Sequence, residues 1–189
     1  MYEAKNFEAL LGTEGFSDLL LRNHFTLYEG YVSNTNKLAE FLKTAEAGTP
    51  PYNEIKRRFG WEWNGMRLHE LYFGNMIKGG APIDKKSELM KKIVENFGSF
   101  EVWEKDFTAT GGMRGIGWVI LARDNETGRL FNVWVNEHDG GYLASATALL
   151  VMDVFEHSFM LDYGLKRAEY IVSFIKAIDW GATKARFAL

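Results

Sequence analysis

The chain has 189 residues, 47% of them hydrophobic and 15% aromatic, which suits one domain or two small lobes sharing a site. A net charge of −3 gives no basic footprint for nucleic acid, and no stretch approaches the ~20 apolar residues of a membrane helix. The first residues, Met-Tyr-Glu-Ala-Lys-Asn, do not read as a secretion signal, and the absence of cysteine points to a reducing compartment, so the cytoplasm is the expected location.

In chain order, Ser17 reads as the N-cap of a long helix reaching about Thr44. Leu20, Leu21, His24, Leu27, Tyr28, Tyr31, Leu38 and Phe41/Leu42 recur on it at three- and four-residue spacing. Gly48-Thr-Pro-Pro51 stops it. A second helical pattern runs from Tyr52 to about Asn75, with interruptions expected near Gly60 and Gly65 and with Met66, His69, Leu71 and Phe73 on its buried side. The two form an antiparallel hairpin, and Gly79-Gly-Ala-Pro82 marks the lobe boundary, giving domains of residues 1–80 and 81–189. In the second lobe, helices are expected from Ser87 to Phe97 and from the N-cap Ser99 to Ala109. The period then changes to that of strands at Gly117–Asp124 and Arg129–Asn136, joined by the turn Asn125-Glu-Thr-Gly128. Residues 137–145 read as loop, Leu149 to Asp153 as a third strand, and Tyr163 to Trp180 as a closing helix. The fold class is therefore α+β: an α-hairpin followed by a lobe with a three-stranded antiparallel sheet.

Chemistry concentrates on the segment Leu149-Leu-Val-Met-Asp153-Val-Phe-Glu-His157. A carboxylate ending an apolar run is rarely buried unless something positive meets it. The chain has four histidines: His24 and His69 on apolar helix faces, His157 four residues after Asp153, and His138 in the loop. Taken singly, each reads as a partly buried imidazole bonded to a carbonyl. Together, three imidazoles and a carboxylate make a ligand set suited to iron, manganese or zinc.

The block Val-Met-Asp153-Val-Phe155-Glu156-His157-Ser-Phe-Met160 resembles the Asp-x-Trp-Glu-His-Ala-aromatic signature of iron/manganese superoxide dismutases. His69-Glu-Leu-Tyr-Phe73 and Tyr31-Val-Ser-Asn-Thr-Asn36 are similar to segments of that family's two long helices. Phe97-Gly-Ser-Phe100, Gly117-Trp118 and Lys166-Arg167-Ala-Glu-Tyr170 fall where the family has comparable motifs, so the likeness runs from about residue 20 to 187.

The resemblance implies one iron or manganese ion per chain, with iron slightly favoured, between the lobes on His24, His69, Asp153 and His157. It implies disproportionation of superoxide to dioxygen and hydrogen peroxide, with Tyr31 and His138 as catalytic residues. Tyr31 corresponds to a gateway tyrosine. His138 lies in the loop where many members place a glutamine that bonds the coordinated solvent; the other position for that glutamine is Gly65 here. Phe73, Trp118 and Phe155 correspond to an aromatic shell. Glu156 corresponds to a residue that pairs with the ligand histidine of a second subunit, implying a homodimer or homotetramer. Two alternatives stand beside this: a non-catalytic metal-binding relative, and a zinc-dependent hydrolase using the same ligands. Among the departures, the interval from His24 to Tyr31 is one residue shorter than in most members, though seven residues still span about two turns of one helix face. Leu27 and Met160 stand where the family has an interface histidine–tyrosine pair.

Overall fold

A computed structural model describes residues 1–189. Helix α1 (Asp18–Thr44) starts where Ser17 Oγ accepts the Leu20 N–H, and α2 (Pro50–Phe73) begins on two prolines, whose missing N–H groups cost nothing in a first turn. The two pack as the expected hairpin. Leu20, Leu21, His24, Tyr28 and Val32 of α1 are buried, but the apolar stripe leaves the core beyond Thr35, and Phe41 is 50% exposed. Helix α2 is continuous through Gly60 and Gly65, which corrects the expected interruptions. Buried contacts at Met66, Leu68, His69, Tyr72 and Phe73 offset the helix-weakening cost of two glycines.

The N-terminal segment straps the hairpin. Tyr2 N–H donates to Asn36 Oδ1 and Asn36 Nδ2 donates to Tyr2 C=O, both at 2.8 Å. The Lys5 ammonium lies 3.0 Å from the buried Glu70 carboxylate, which also accepts from Tyr28 and Arg67. Phe7 packs on Phe25, Tyr28 and Phe73.

Helices α3 (Glu88–Phe97) and α4 (Phe100–Gly111) carry the N-caps Ser87 and Ser99. Three strands follow, β1 (Gly117–Asp124), β2 (Leu130–Asn136) and β3 (Ala146–Asp153), in the antiparallel order β2-β1-β3. The β1–β2 register pairs Trp118 with Val135, and the β1–β3 register sets Trp118 opposite Asp153, so both project from one face at one end of the sheet. Strand β3 starts three residues earlier than the apolar run suggested, because Ala146, Thr147 and Ala148 continue the ladder on one half-buried edge.

Within the span Tyr163 to Trp180, expected as a closing helix, the helix is α6 (Arg167–Ala177); a short α5 (Met160–Tyr163) ends at the first residue of that span and a further helix, α7 (Trp180–Phe187), starts at its last. Gly164, at φ +55°, ends α5. Between α6 and α7, Ile178 and Asp179 turn extended to bridge Met76 and Ala81 between the lobes, and Asp179 then caps α7 by accepting from Gly181 and Ala182. The buried apolar residues of both lobes form one contiguous core. No helix is long and apolar enough to cross a membrane.

Candidate metal centre

The end of β3 delivers Asp153 fully buried, and its two carboxylate oxygens have different work. Oδ1 accepts the Phe155 N–H at 2.8 Å, so Oδ2 is left facing the hairpin. The Asp153 backbone C=O accepts from Tyr170 Oη at 2.6 Å, which holds the end of the strand against α6. A turn of 3-10 helix, Glu156–Ser158, then returns His157 so that its Nε2 lies 3.1 Å from Oδ2.

His24 of α1 and His69 of α2 meet the same oxygen from the other lobe, at 3.2 Å and 3.7 Å from their Nε2 atoms. The four ligand atoms offered by His24, His69, Asp153 and His157 all lie within 4.8 Å of one another. The one-residue-short interval does not displace His24: α1 stays regular, and His24 and Tyr31 both face the centre from it. His69 Nδ1 lies 2.5 Å from Gly65 C=O four residues back, a contact that requires the ring hydrogen on Nδ1 and turns the Nε2 lone pair into the cluster.

Electrostatics favour neutral imidazoles around an ionised carboxylate. Burial pushes His24 and His69 below the ordinary histidine value, although Asp153 draws both the other way. Burial alone would raise Asp153, but His157 and His24 outweigh it and hold the carboxyl well below the usual carboxylate range. The Nε2 atoms of His24 and His69 are buried with no hydrogen-bond partner. Unpaired lone pairs beside a buried anion are costly unless a cation completes the group. The donor set fits iron or manganese on these grounds.

Aromatic rings wall the cluster. Tyr31 stacks on His69 at 5.2 Å, Trp118 meets His69 edge-on at 4.9 Å, Phe73 meets His24 at 4.8 Å, and Phe155 stacks on His157 at 5.1 Å. His138, two residues beyond β2, is fully buried and stacks on Phe155 at 4.8 Å. Its tautomer follows from its neighbours. Trp118 Nε1 is only a donor and lies 3.1 Å from His138 Nδ1, so Nδ1 accepts. The ring hydrogen therefore sits on Nε2, which donates to Tyr31 Oη at 2.8 Å. Burial pushes His138 down to about 4, in keeping with a neutral ring. Burial, Glu62 and Asp153 push the Tyr31 hydroxyl up to about 12, so it keeps its hydrogen at neutral pH.

Three contributors were not singled out from the sequence. Tyr72 packs on His24 at 5.3 Å; its place one turn after His69 on the same helix face was the available signal. Asn64 Nδ2 donates to His138 C=O at 2.7 Å, and Trp61 meets the His138 ring at 4.9 Å. These two depend on where the 137–145 loop lands, which periodicity does not encode. Leu27 is half-exposed, Met160 is exposed, and Glu156 lies exposed beside His157.

Residues 85–186 match the family model of the C-terminal domain of iron/manganese superoxide dismutases. The iron superoxide dismutase of Cupriavidus metallidurans is 37% identical over 92% of this chain and 89% of its own length. A manganese superoxide dismutase of Haloferax volcanii is 34% identical over 89% of this chain and 85% of its own, and the iron enzyme of Aquifex pyrophilus is 33% identical over 92% and 85%. With a family match over more than half the chain and relatives at this identity along nearly all of it, the protein belongs to the iron/manganese superoxide dismutase family.

Proposed function

We propose that the protein is a superoxide dismutase that uses one iron or manganese ion per chain, held by His24, His69, Asp153 and His157. The observation that carries this is the convergence of three imidazole Nε2 atoms on one carboxylate oxygen, two of them buried without a partner. A bound ion of this kind supplies one-electron chemistry: one superoxide is oxidised to dioxygen, and the next is reduced and takes two protons to become hydrogen peroxide. The remaining work falls to side chains. Asp153 lowers the charge of the centre and, anchored by Phe155 N–H, keeps a fixed direction. Tyr31 holds a proton at Oη on the cluster side of the wall, and His138 orients that hydroxyl by donating to its oxygen. Because both ring nitrogens of His138 are engaged, its influence on the centre passes through Tyr31. Trp118, Phe73 and Phe155 exclude water and strengthen each polar contact inside.

For the native ion we propose iron, supported by the iron type of the 37% identical relative. We further propose a homo-oligomer built on a dimer, either the homodimer itself or a homotetramer. His157 is the one member of the cluster that is only partly buried, its side chain 30% exposed, and Glu156, Met160, Leu161 and Leu165 in the same stretch of chain are exposed. The test is elemental analysis and superoxide turnover of natively expressed protein beside His69→Ala. Wild type is expected to carry iron and turn over, and His69→Ala to lose both metal and activity. Colourless, zinc-loaded wild type without turnover would overturn the enzymatic reading, and manganese as the major ion would overturn the choice of iron.

A further inference from the structure

On a protein of net charge −3, a cation held near the buried centre would speed the approach of a small anion. On the outer side of Tyr31 and His138, α2 places three side chains within five residues. Glu62 is buried, its side chain 5% exposed, and its Oε1 accepts from Arg58 Nε and lies 2.8 Å from Arg58 Nη2. Its Oε2 faces Asn34 Nδ2 at 3.4 Å. The Arg58 side chain is 50% exposed, and its guanidinium lies over the Trp61 ring at 4.9 Å. Trp61 in turn meets His138 edge-on at 4.9 Å, His138 donates to Tyr31, and Tyr31 stacks on His69. A contiguous series of groups thus joins an exposed cation to a candidate ligand of the metal.

The ion pair is asymmetric in a way that matters. Its carboxylate is inside and its guanidinium outside, so the pair shows its positive end to water instead of cancelling there. Two contacts from the guanidinium, Nε and Nη2, to the single oxygen Oε1 of Glu62, together with the flat indole, hold it in one place, which a free lysine on this face would not be. Arg58 is also the arginine whose charge bears on both Tyr31 and His138, against the carboxylates Glu62, Asp153 and Asp139.

We infer that Arg58, fixed over Trp61 by Glu62, is the steering residue that draws small anions to the Tyr31–His138 side of the centre. This rests on the proposed reading of the centre as one that consumes superoxide. The geometry assigns Arg58 no part in the proton or electron steps; its charge raises the local concentration of anion, and so acts on encounter and binding alike.

The experiment compares metal-loaded wild type with Arg58→Lys, Arg58→Gln, Arg58→Gln/Glu62→Gln, and Arg129→Gln. The last removes a cation lying over Phe131, at the opposite end of β2 from His138. Two readouts are taken as ionic strength is varied: kcat/KM for superoxide, and the dissociation constant of azide from its visible titration. At low salt, Arg58→Gln is expected to lower kcat/KM and weaken azide binding on the order of three- to tenfold, with a flatter salt dependence and unchanged kcat and metal content. Arg58→Lys should keep most of both, and Arg129→Gln all of both. The double variant should stay as slow as Arg58→Gln. Its recovery would instead place the loss on the bared Glu62 charge and overturn the proposal, as would wild-type salt dependence and azide affinity in Arg58→Gln. If wild type shows no turnover while azide affinity still falls in Arg58→Gln, the enzymatic reading fails and the anion-steering role stands.

Discussion

Asp153 Oδ2 sees three imidazoles within 3.7 Å, while Oδ1 is tied to a backbone N–H, so the carboxylate has one free oxygen and one possible direction for it. The same economy governs His138. Its Nδ1 can only accept, because the indole beside it can only donate, and the ring hydrogen is thereby sent to Tyr31. A glutamine amide offers the same pair, an oxygen to accept and a nitrogen to donate. His138→Gln should therefore keep metal and turnover within about threefold of wild type, since each hydrogen bond is remade. His138→Ala should also keep its metal, but leave the Trp118 N–H buried and unpaired, a loss of about 1–3 kcal/mol in stability. It should also free the Tyr31 hydroxyl to rotate, so turnover falls and the reduction potential of the centre shifts. Stopped-flow turnover, metal content and redox titration of the two variants check this; unchanged turnover and potential in His138→Ala would sink the role given to His138.

At the scale of elements, the centre depends on how closely α1 and α2 approach, and Gly65 marks the contact. A Cβ there would stand 2.5 Å from Tyr31 Cδ1 and 2.6 Å from Cε1, whereas one at Gly60, on the same helix, would have open space. Gly60→Ala should raise the unfolding temperature of the metal-free protein by about 2–4 °C, the ordinary gain from replacing glycine in a helix. Gly65→Ala should lower it, because crowding costs of about 1–3 kcal/mol exceed that gain. It should also push the Tyr31 ring off His69 and weaken the bond to His138. Thermal unfolding of the two variants decides; a stabilised Gly65→Ala would show that the ring moves freely. This pair also explains a misreading. A glycine in a helical pattern reads as an interruption, since the sequence reports the missing side chain but not the tyrosine that occupies its space. Helix α1, its Ser17 cap and all three strands were legible, because period and caps are local signals. The stop of α6 at Ala177 and the further helix from Trp180 were not. Ile178 and Asp179 are extended by pairing with Met76 and Ala81, about a hundred residues away in the chain.

Across the whole molecule, the four candidate ligands come from both lobes: His24 and His69 from the hairpin, Asp153 and His157 from the end of the sheet. Their convergence was readable from the sequence because buried His and Asp are rare and their motifs resemble a family's. The proposed steering group was not readable, since Arg58, Trp61 and Glu62 look like ordinary helix-surface residues until His138 is seated against Trp61. The cluster is closed on three sides and thin on the fourth. His24, His69 and Asp153 are almost wholly buried, but His157 keeps 30% of its side chain in water, next to the exposed Glu156. A ligand imidazole holds its direction when its second nitrogen has an acceptor. In the proposed dimer that acceptor is Glu156 of the second copy, so each centre is completed across the interface. Glu156→Ala should then act at two levels at once. Sedimentation should show a shift from dimer towards monomer at micromolar protein. Metal content should fall with it, by about tenfold in affinity or more, as is usual when such an orienting partner is removed. Glu156→Gln, which still accepts through its amide oxygen, should retain most of both. A Glu156→Ala protein with wild-type mass and full metal would separate Glu156 from the centre and leave His157 to be oriented from within its own chain.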